Sequence, residues 1–243
     1  STSTEMTGTT AAWAAGYTGA GSRIAIIDTG TDTDHQSFSE EGYLHALALN
    51  AQAAGEDLDS YLAGLHLLDA AEIQEKLPQL NIYATLQGKN YTASDLYRTE
   101  KLPFGFNYID KSLDITHDND SRSEHGSHVA GIAAANRYLK TEDGYVDALE
   151  TVNVAGNAPD AQILVMKVFG ANGGAYDSDI MAAMEDALVL GADAINLSLG
   201  SSVAGRAESD EPAYVALFER LVETDTVVAI SAGNYGYWAE NTA

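Results

Sequence analysis

Four short apolar runs, separated by segments with helical spacing, constrain the fold of this chain most strongly. The runs cover residues 23–28, 162–168, 194–198 and 226–230. Apolar runs of this length without polar alternation are typical of strands that are buried on both faces, and successive parallel strands are usually joined by a helix. The pattern therefore predicts an α/β fold of three layers, in which a parallel sheet lies between helices.

The segments between these runs carry helix signals. Small residues follow His125 and predict a helix that packs closely against its neighbours. Ser178 is the predicted N-cap of a second helix, which stops at Gly191, and Pro212 lies near the start of a third. Residues 137–156 carry no comparable pattern, and we expect them to form a long exposed loop.

Residues 39–104 depart from this alternation and are interpreted as a helical insertion in one domain that spans residues 1–243. Four apolar side chains in it have the spacing of one helical face: Leu58, Tyr61, Leu62 and Leu65. Asp69 begins a segment that resembles a capping box. Because the insertion starts soon after Asp28 and ends before His125, we expect a small lobe that restricts access to a cleft at the carboxyl end of the sheet. A remote, purely stabilising lobe is the alternative.

Composition limits the classes of function. The chain has 12 Lys and Arg against 36 Asp and Glu, and its net charge of −24 would repel a phosphate backbone, so nucleic-acid binding is not expected. There is no cysteine, which excludes a disulfide framework. No run reaches the roughly 20 apolar residues of a membrane-spanning helix. With 45% hydrophobic residues, the chain has the means to bury a substantial core.

Three motifs carry the candidate chemistry: Asp28-Thr29-Gly30, His125-Gly126-Ser127-His128-Val129-Ala130-Gly131 and Ser231-Ala232-Gly233-Asn234. An acid, an imidazole and an amide thus occur in the order used by one class of serine hydrolases. Together the motifs resemble the subtilisin-like serine proteases. The resemblance covers residues 13 to about 38 and about 110 to 234. Residues 13–21 and the insertion are most similar to large bacterial cell-envelope proteinases such as lactocepin and the C5a peptidases.

This resemblance implies an Asp-His-Ser triad that hydrolyses peptide bonds. His125 would accept a proton from a serine hydroxyl, Asp28 would orient the imidazole and stabilise its cation, and Asn234 would donate its amide to the oxyanion. Outside such motifs, an aspartate that follows a strand is usually a turn residue. We interpret His35 and His128 as structural residues that support the motifs.

The resemblance also implies two segments that bind the backbone of a peptide or protein substrate. One edge of the cleft would be Ser198-Leu199-Gly200, and the opposite edge would be Gly173-Gly174-Ala175. An extended substrate between two such edges gains main-chain hydrogen bonds, while alternate side chains enter pockets. Considered without the resemblance, both segments are glycine-rich turns after strands.

The family's fourth motif, Gly-Thr-Ser-Met-Ala, does not occur in this sequence. We therefore expect a fold that is incomplete at its C-terminal end, an inactive fragment, and a downstream segment of the parent protein that carries the nucleophilic serine. The resemblance implies an extracellular or cell-wall location. A non-catalytic peptide-binding module that retains the cleft is the alternative, and the parent reading frame after residue 243 would decide between them.

No cofactor is expected, although calcium stays an open alternative. Many relatives have an aspartate two positions after the histidine that corresponds to His35, whereas Ser37 stands there in this chain. Asp118-Asn119-Asp120 offers oxygen ligands but lacks a full calcium loop.

A metallohydrolase that uses His125 and His128 is a further alternative, with weak support from the spacing alone. An aspartic protease is excluded because it needs two such carboxylates, and Asp-Thr-Gly occurs once.

Overall fold

The computed structural model describes residues 2–118, 120, 124–200 and 212–234. Its strands are, in chain order, β1 (Arg23–Asp28), β2 (Phe104–Asn107), β3 (Tyr138–Thr141), β4 (Gly144–Asp147), β5 (Gln162–Lys167), β6 (Ala194–Leu197) and β7 (Val227–Ile230). Five of them form a parallel sheet in the order β2-β5-β1-β6-β7. The predicted α/β fold with a parallel sheet flanked by helices is confirmed.

The helices are α1 (Thr2–Met6), α2 (Thr9–Ala14), α3 (Glu40–Ala54), α4 (Leu58–Leu65), α5 (Ala70–Lys76), α6 (Tyr83–Lys89), α7 (Ala93–Leu96), α8 (His125–Ala134), α9 (Ala148–Thr151), α10 (Asp177–Val189) and α11 (Pro212–Val222). Two short 3₁₀ helices cover Gln36–Phe38 and Leu77–Gln79. Within the described residues, none of these helices is long and apolar enough to cross a membrane.

The sheet buries a hydrophobic core on each of its faces. Alternate side chains of a strand point to opposite faces, so Ile27 of β1 joins the core beneath α10, whereas Ile26 joins the core beneath α8. The neighbouring strand β5 divides in the same way, with Met166 in the first core and Val165 in the second. Burial on both faces explains why these strands are continuous apolar runs.

The insertion belongs to the main core and is not a separate lobe. Ile73 of α5, Leu86 of α6 and Leu96 of α7 are buried in the same cluster as Phe104 and Met166 of the sheet. The apolar face predicted between residues 58 and 65 contributes little, because α4 contains no buried residue. The expectation of a small independent lobe is therefore wrong.

Polar contacts place α5 and the residues before it near the amino ends of the strands. Arg23, the first residue of β1, binds the carboxylate of Glu72 in α5 at 2.9 Å. Gln162, the first residue of β5, accepts a hydrogen bond from Leu68 N at 2.8 Å. Asp28 lies at the other end of β1, roughly 16 Å away for a strand that rises about 3.3 Å per residue. For α5 and the residues just before it, these contacts favour the stabilising alternative over a position at the cleft.

The prediction of an exposed loop at residues 137–156 is wrong. These residues form an antiparallel hairpin of β3 and β4, followed by α9. The hairpin packs on α3, where the Tyr145 ring stacks on His45 with 3.9 Å between ring centroids. Arg137 and Asp147 close its base with two hydrogen bonds of 2.6 and 2.7 Å. A smaller correction concerns α10, whose N-cap is Tyr176 and not Ser178.

Candidate active site

Asp28 and His125 meet at the carboxyl end of the central strand. Asp28 is the last residue of β1 and is 1% exposed, and His125 is the first residue of α8. The His125 Nδ1 atom lies 2.8 Å from Asp28 Oδ1, although the residues are 97 positions apart in the chain. The other ring nitrogen, Nε2, therefore points away from the carboxylate. With its side chain 49% exposed, the His125 ring is accessible to a reactant.

The Asp28 carboxylate is held by the turn that follows β1. Thr29 N donates to Asp28 Oδ1 at 2.7 Å, and the Thr29 hydroxyl accepts a hydrogen bond from Gly126 N at 2.9 Å. One threonine thus links the turn to the first turn of α8. Asp28 Oδ2 is buried and has no hydrogen-bond partner among the described residues. Buried polar atoms without a partner are rare, and a catalytic role is one of the explanations for them.

Two glycines allow close contacts around the turn after β1. A Cβ atom at Gly126 would lie 2.1 Å from Gly30 O, and a Cβ atom at Gly30 would lie 2.4 Å from Ile115 O. Gly30 also has a φ of 102°, a conformation that L side chains rarely adopt. Gly126 therefore permits the contact that brings α8 to the turn, and Gly30 permits the close approach of residue 115 to the same turn.

The segments predicted to bind substrate flank this pair. Ser198, Leu199 and Gly200 follow β6, and Gly173, Gly174 and Ala175 lie between β5 and α10. Since β5 and β6 are the two neighbours of β1, both segments lie at the carboxyl edge of the sheet, on either side of Asp28.

Hydrogen bonds shape both segments. Leu199 O accepts a hydrogen bond from the Ser231 hydroxyl at 3.0 Å, and the Ser198 hydroxyl accepts one from the Asn196 side chain at 2.9 Å. On the other side, Gly170 N donates to Gly174 O at 3.0 Å, which closes a tight turn. Both segments therefore have defined backbone conformations on either side of the pair.

Asn234 lies in the loop after β7, at the same edge of the sheet and two strands from β1. The preceding residue, Gly233, has a φ of 86° and turns the chain at this point. Asn234 is exposed. The structure thus brings Asp28 and His125 into direct contact and places Asn234 at the same edge of the sheet.

The other histidines of the motifs have different surroundings. The His128 side chain is 76% exposed and lies 3.9 Å from Glu124, so it has no packed structural position and its predicted structural role is not supported. His35 accepts a hydrogen bond from Ser37 N at 3.2 Å and caps a 3₁₀ helix, as expected for a polar turn. Ser127 lies between two elements, since its hydroxyl accepts a hydrogen bond from Asp32 N at 2.7 Å and lies 2.9 Å from His117 Nε2.

Sequence reasoning missed Lys167, which ends β5 directly opposite Asp28. Its ammonium is buried and bonds to Thr29 O and to the Asp120 carboxylate. A signal was available, because a lysine within an apolar strand of a buried sheet needs partners.

Among the described residues, no group of three or more His, Asp or Glu side chains is arranged to hold a metal ion. The metallohydrolase alternative therefore has no ligand set in this part of the chain.

Comparison with known proteins gives a consistent result. The profile described as "Subtilase family" matches residues 19–243. Over 223 residues the chain is 31% identical to the PII-type proteinase of Lacticaseibacillus paracasei, covering 90% of this chain and 10% of that protein. It is 39% identical over 143 residues to the PI-type proteinase of Lactococcus lactis subsp. cremoris, covering 58% of this chain and 7% of that protein.

A third relative is the minor extracellular protease Vpr of Bacillus subtilis (strain 168), which is 26% identical over 228 residues, 93% of this chain and 19% of that protein. The chain thus spans a tenth or less of the two lactic-acid bacterial proteinases and about a fifth of the third. These matches confirm the predicted resemblance, including its lactocepin-type branch.

Proposed function

The chain belongs to the subtilase family, and we propose that it is the part of a serine endopeptidase that supplies the acid, the base and the oxyanion amide. The observation that carries this proposal is the 2.8 Å contact between Asp28 and His125 at the carboxyl end of β1. A buried carboxylate bound to one nitrogen of a half-exposed imidazole is the arrangement that prepares the other nitrogen to accept a proton.

Each residue has one role in the proposed reaction. The Nδ1–H group of His125 donates a hydrogen bond to Asp28 Oδ1, which fixes the tautomer that leaves Nε2 free to act as a base. Nε2 accepts the proton of a serine hydroxyl as that oxygen attacks the peptide carbonyl, and then returns it to the leaving amine. Asp28 stabilises the imidazolium that exists between these two steps. The Asn234 side chain donates a hydrogen bond to the oxyanion of the tetrahedral intermediate.

The substrate is proposed to be an extended peptide that lies between residues 173–175 and residues 198–200. Both segments lie at the carboxyl edge of the sheet, beside the strand that carries Asp28. Main-chain contacts on both sides would hold the scissile bond near His125 whatever the side chains are. By resemblance to its relatives, the parent protein is proposed to act outside the cell or at the cell wall.

The nucleophile is proposed to lie on a downstream segment of the parent protein. The sequence contains no Gly-Thr-Ser-Met-Ala, and the hydroxyl of Ser127 is engaged with Asp32 N and His117. Two chains therefore need to be compared: residues 1–243 alone, and a complete peptidase domain extended through the segment with the serine. A fluorophosphonate probe, which labels activated serines, should label the second chain and not the first.

The same experiment tests the non-catalytic alternative. An extended domain that takes up no probe and hydrolyses no casein, but retains an unlabelled peptide in a pull-down, would be a peptide-binding module. Stoichiometric labelling of Ser127, Ser198 or Ser231 in the short chain would contradict the proposed location of the nucleophile. Loss of labelling in His125→Ala and Asp28→Ala variants of the extended domain is the expected control result.

A further inference from the structure

A lysine ends β5 on the same face of the sheet on which Asp28 ends β1. The parallel register pairs Ile26 with Val165 and then Asp28 with Lys167. Both apolar residues of the first pair belong to the core beneath α8, and side chains two positions apart share a face. The row of apolar pairs beneath α8 therefore ends with a carboxylate beside a lysine. Lys167 is 1% exposed, so its ammonium needs partners within the protein.

The partners of Lys167 are parts of the site and not its neighbour Asp28. Its Nζ atom donates a hydrogen bond to Thr29 O at 2.6 Å and another to the carboxylate of Asp120. The Asp120 side chain is 7% exposed and lies in the segment that leads to α8. One buried cation thus joins the end of β5, the turn after Asp28 and the chain that enters the helix of His125.

Thr29 is fixed through three of its atoms. Its N–H group donates to Asp28 Oδ1, its hydroxyl accepts from Gly126 N, and its carbonyl accepts from Lys167. The first contact orients the carboxylate and the second locates the first turn of α8. The third contact ties the Thr29 carbonyl to the neighbouring strand, next to the hydrogen bond of 2.9 Å from Val168 N to Asp28 O.

We infer that Lys167 is a positioning residue for the Asp28–His125 pair: its buried ammonium holds the Thr29 carbonyl and thereby sets the carboxylate and the first turn of α8 relative to each other. This inference rests on the proposed function and adds a residue that touches neither substrate nor reacting atoms. If Lys167 served only to form a structural ion pair, Asp120 would be the only partner that it requires. The bond to Thr29 O is a separate contact, and an ammonium can make both because it has three donors.

The test uses the complete peptidase domain with its serine. Lys167→Met alone would leave the Asp120 carboxylate buried and unpaired, which destabilises a protein for reasons unrelated to catalysis. The informative variant is therefore Lys167→Met with Asp120→Asn, which removes both charges together. Fluorophosphonate titration counts the competent sites, so that kcat is expressed per site and misfolded molecules do not contribute.

We expect the double variant to lose on the order of tenfold to a hundredfold in kcat per titrated site, with KM unchanged, since small misplacements of catalytic groups have effects of this size. Lys167→Gln with Asp120→Asn retains a donor toward Thr29 and should recover part of the loss. The matched control is Arg137→Met with Asp147→Asn, which removes the ion pair at the base of the hairpin. That variant should retain the kcat of the wild type.

A double variant with wild-type kcat per titrated site would overturn the inference and leave the proposed function intact. So would equal losses in the Gln and Met variants, because the donor to Thr29 would then have no effect. A wild-type domain that takes up no probe would instead overturn the proposed function, and the inference with it. A fall in the number of titrated sites at constant kcat would show that Lys167 is only structural.

Discussion

Replacing Leu96 by alanine should strongly destabilise the peptidase domain, because the insertion that contains it is part of the main core. Leu96 in α7 is fully buried and belongs to the cluster that includes Ile73, Phe104 and Met166. Truncation of a leucine in such a core removes transfer free energy and leaves a cavity, with a typical cost of about 2–5 kcal/mol. At about 1.4 kcal/mol per factor of ten, the ratio of folded to unfolded molecules should fall by roughly 30-fold or more.

The control lies in the same insertion. Leu58 in α4 is 37% exposed, and Leu58→Ala should cost about 0.5 kcal/mol or less. The free energy of unfolding of both variants is to be measured by urea titration of the complete domain, in a His125→Ala background that prevents self-digestion. Equal costs for Leu96→Ala and Leu58→Ala would refute the conclusion that the insertion shares the core of the sheet, and would restore the independent lobe.

Three further results are expected. Asn234→Ala in the complete domain should lower kcat by about 10² to 10³ with little change in KM, as is typical of losing one oxyanion donor, and a raised KM at constant kcat would contradict that role. Burial lowers the pKa of Lys101 to about 7, so the unfolded chain binds a proton that the native chain lacks between that pH and about 10.5. Stability should therefore rise with pH across this window, and Lys101→Met should abolish the rise in urea midpoints, whereas an unchanged slope would point to another group. Gly126→Ala places a methyl group 2.1 Å from Gly30 O and should abolish probe labelling of the complete domain, and labelling at the wild-type rate would show that α8 can shift without loss.

The local sequence pattern was sufficient to predict the strand and the helix that carry Asp28 and His125. The continuous apolar run before Asp28 predicts β1 with the bounds that the structure has, because a strand covered on both faces has no polar side chains to interrupt it. The small residues after His125 likewise predict α8, whose Ala130 and Ala134 pack on the sheet. The contact between Asp28 and His125 was predicted from the motif resemblance. A separation of 97 residues in the sequence does not by itself determine the distance between two side chains.

Predictions from the local sequence pattern were wrong where tertiary contacts determine the structure. The hairpin of β3 and β4 is stabilised by the stacking of Tyr145 on His45, a contact across a hundred residues that no local spacing reveals. A local signal did exist there, because Asp143-Gly144 is a sequence that favours a hairpin turn. The position of α5 could not be predicted from the sequence either, because it depends on the contact between Glu72 and Arg23 at the amino end of β1.

In the proposed mechanism, the Asp28–His125 pair activates a serine that lies outside these 243 residues. The most direct measurement is to label the complete peptidase domain with a fluorophosphonate probe and to identify the modified residue by mass spectrometry of its peptides. The proposed mechanism predicts one modified serine, located after residue 243, and no modification in the His125→Ala variant. Modification of a serine within residues 1–243, or equal labelling with and without the His125 imidazole, would contradict it.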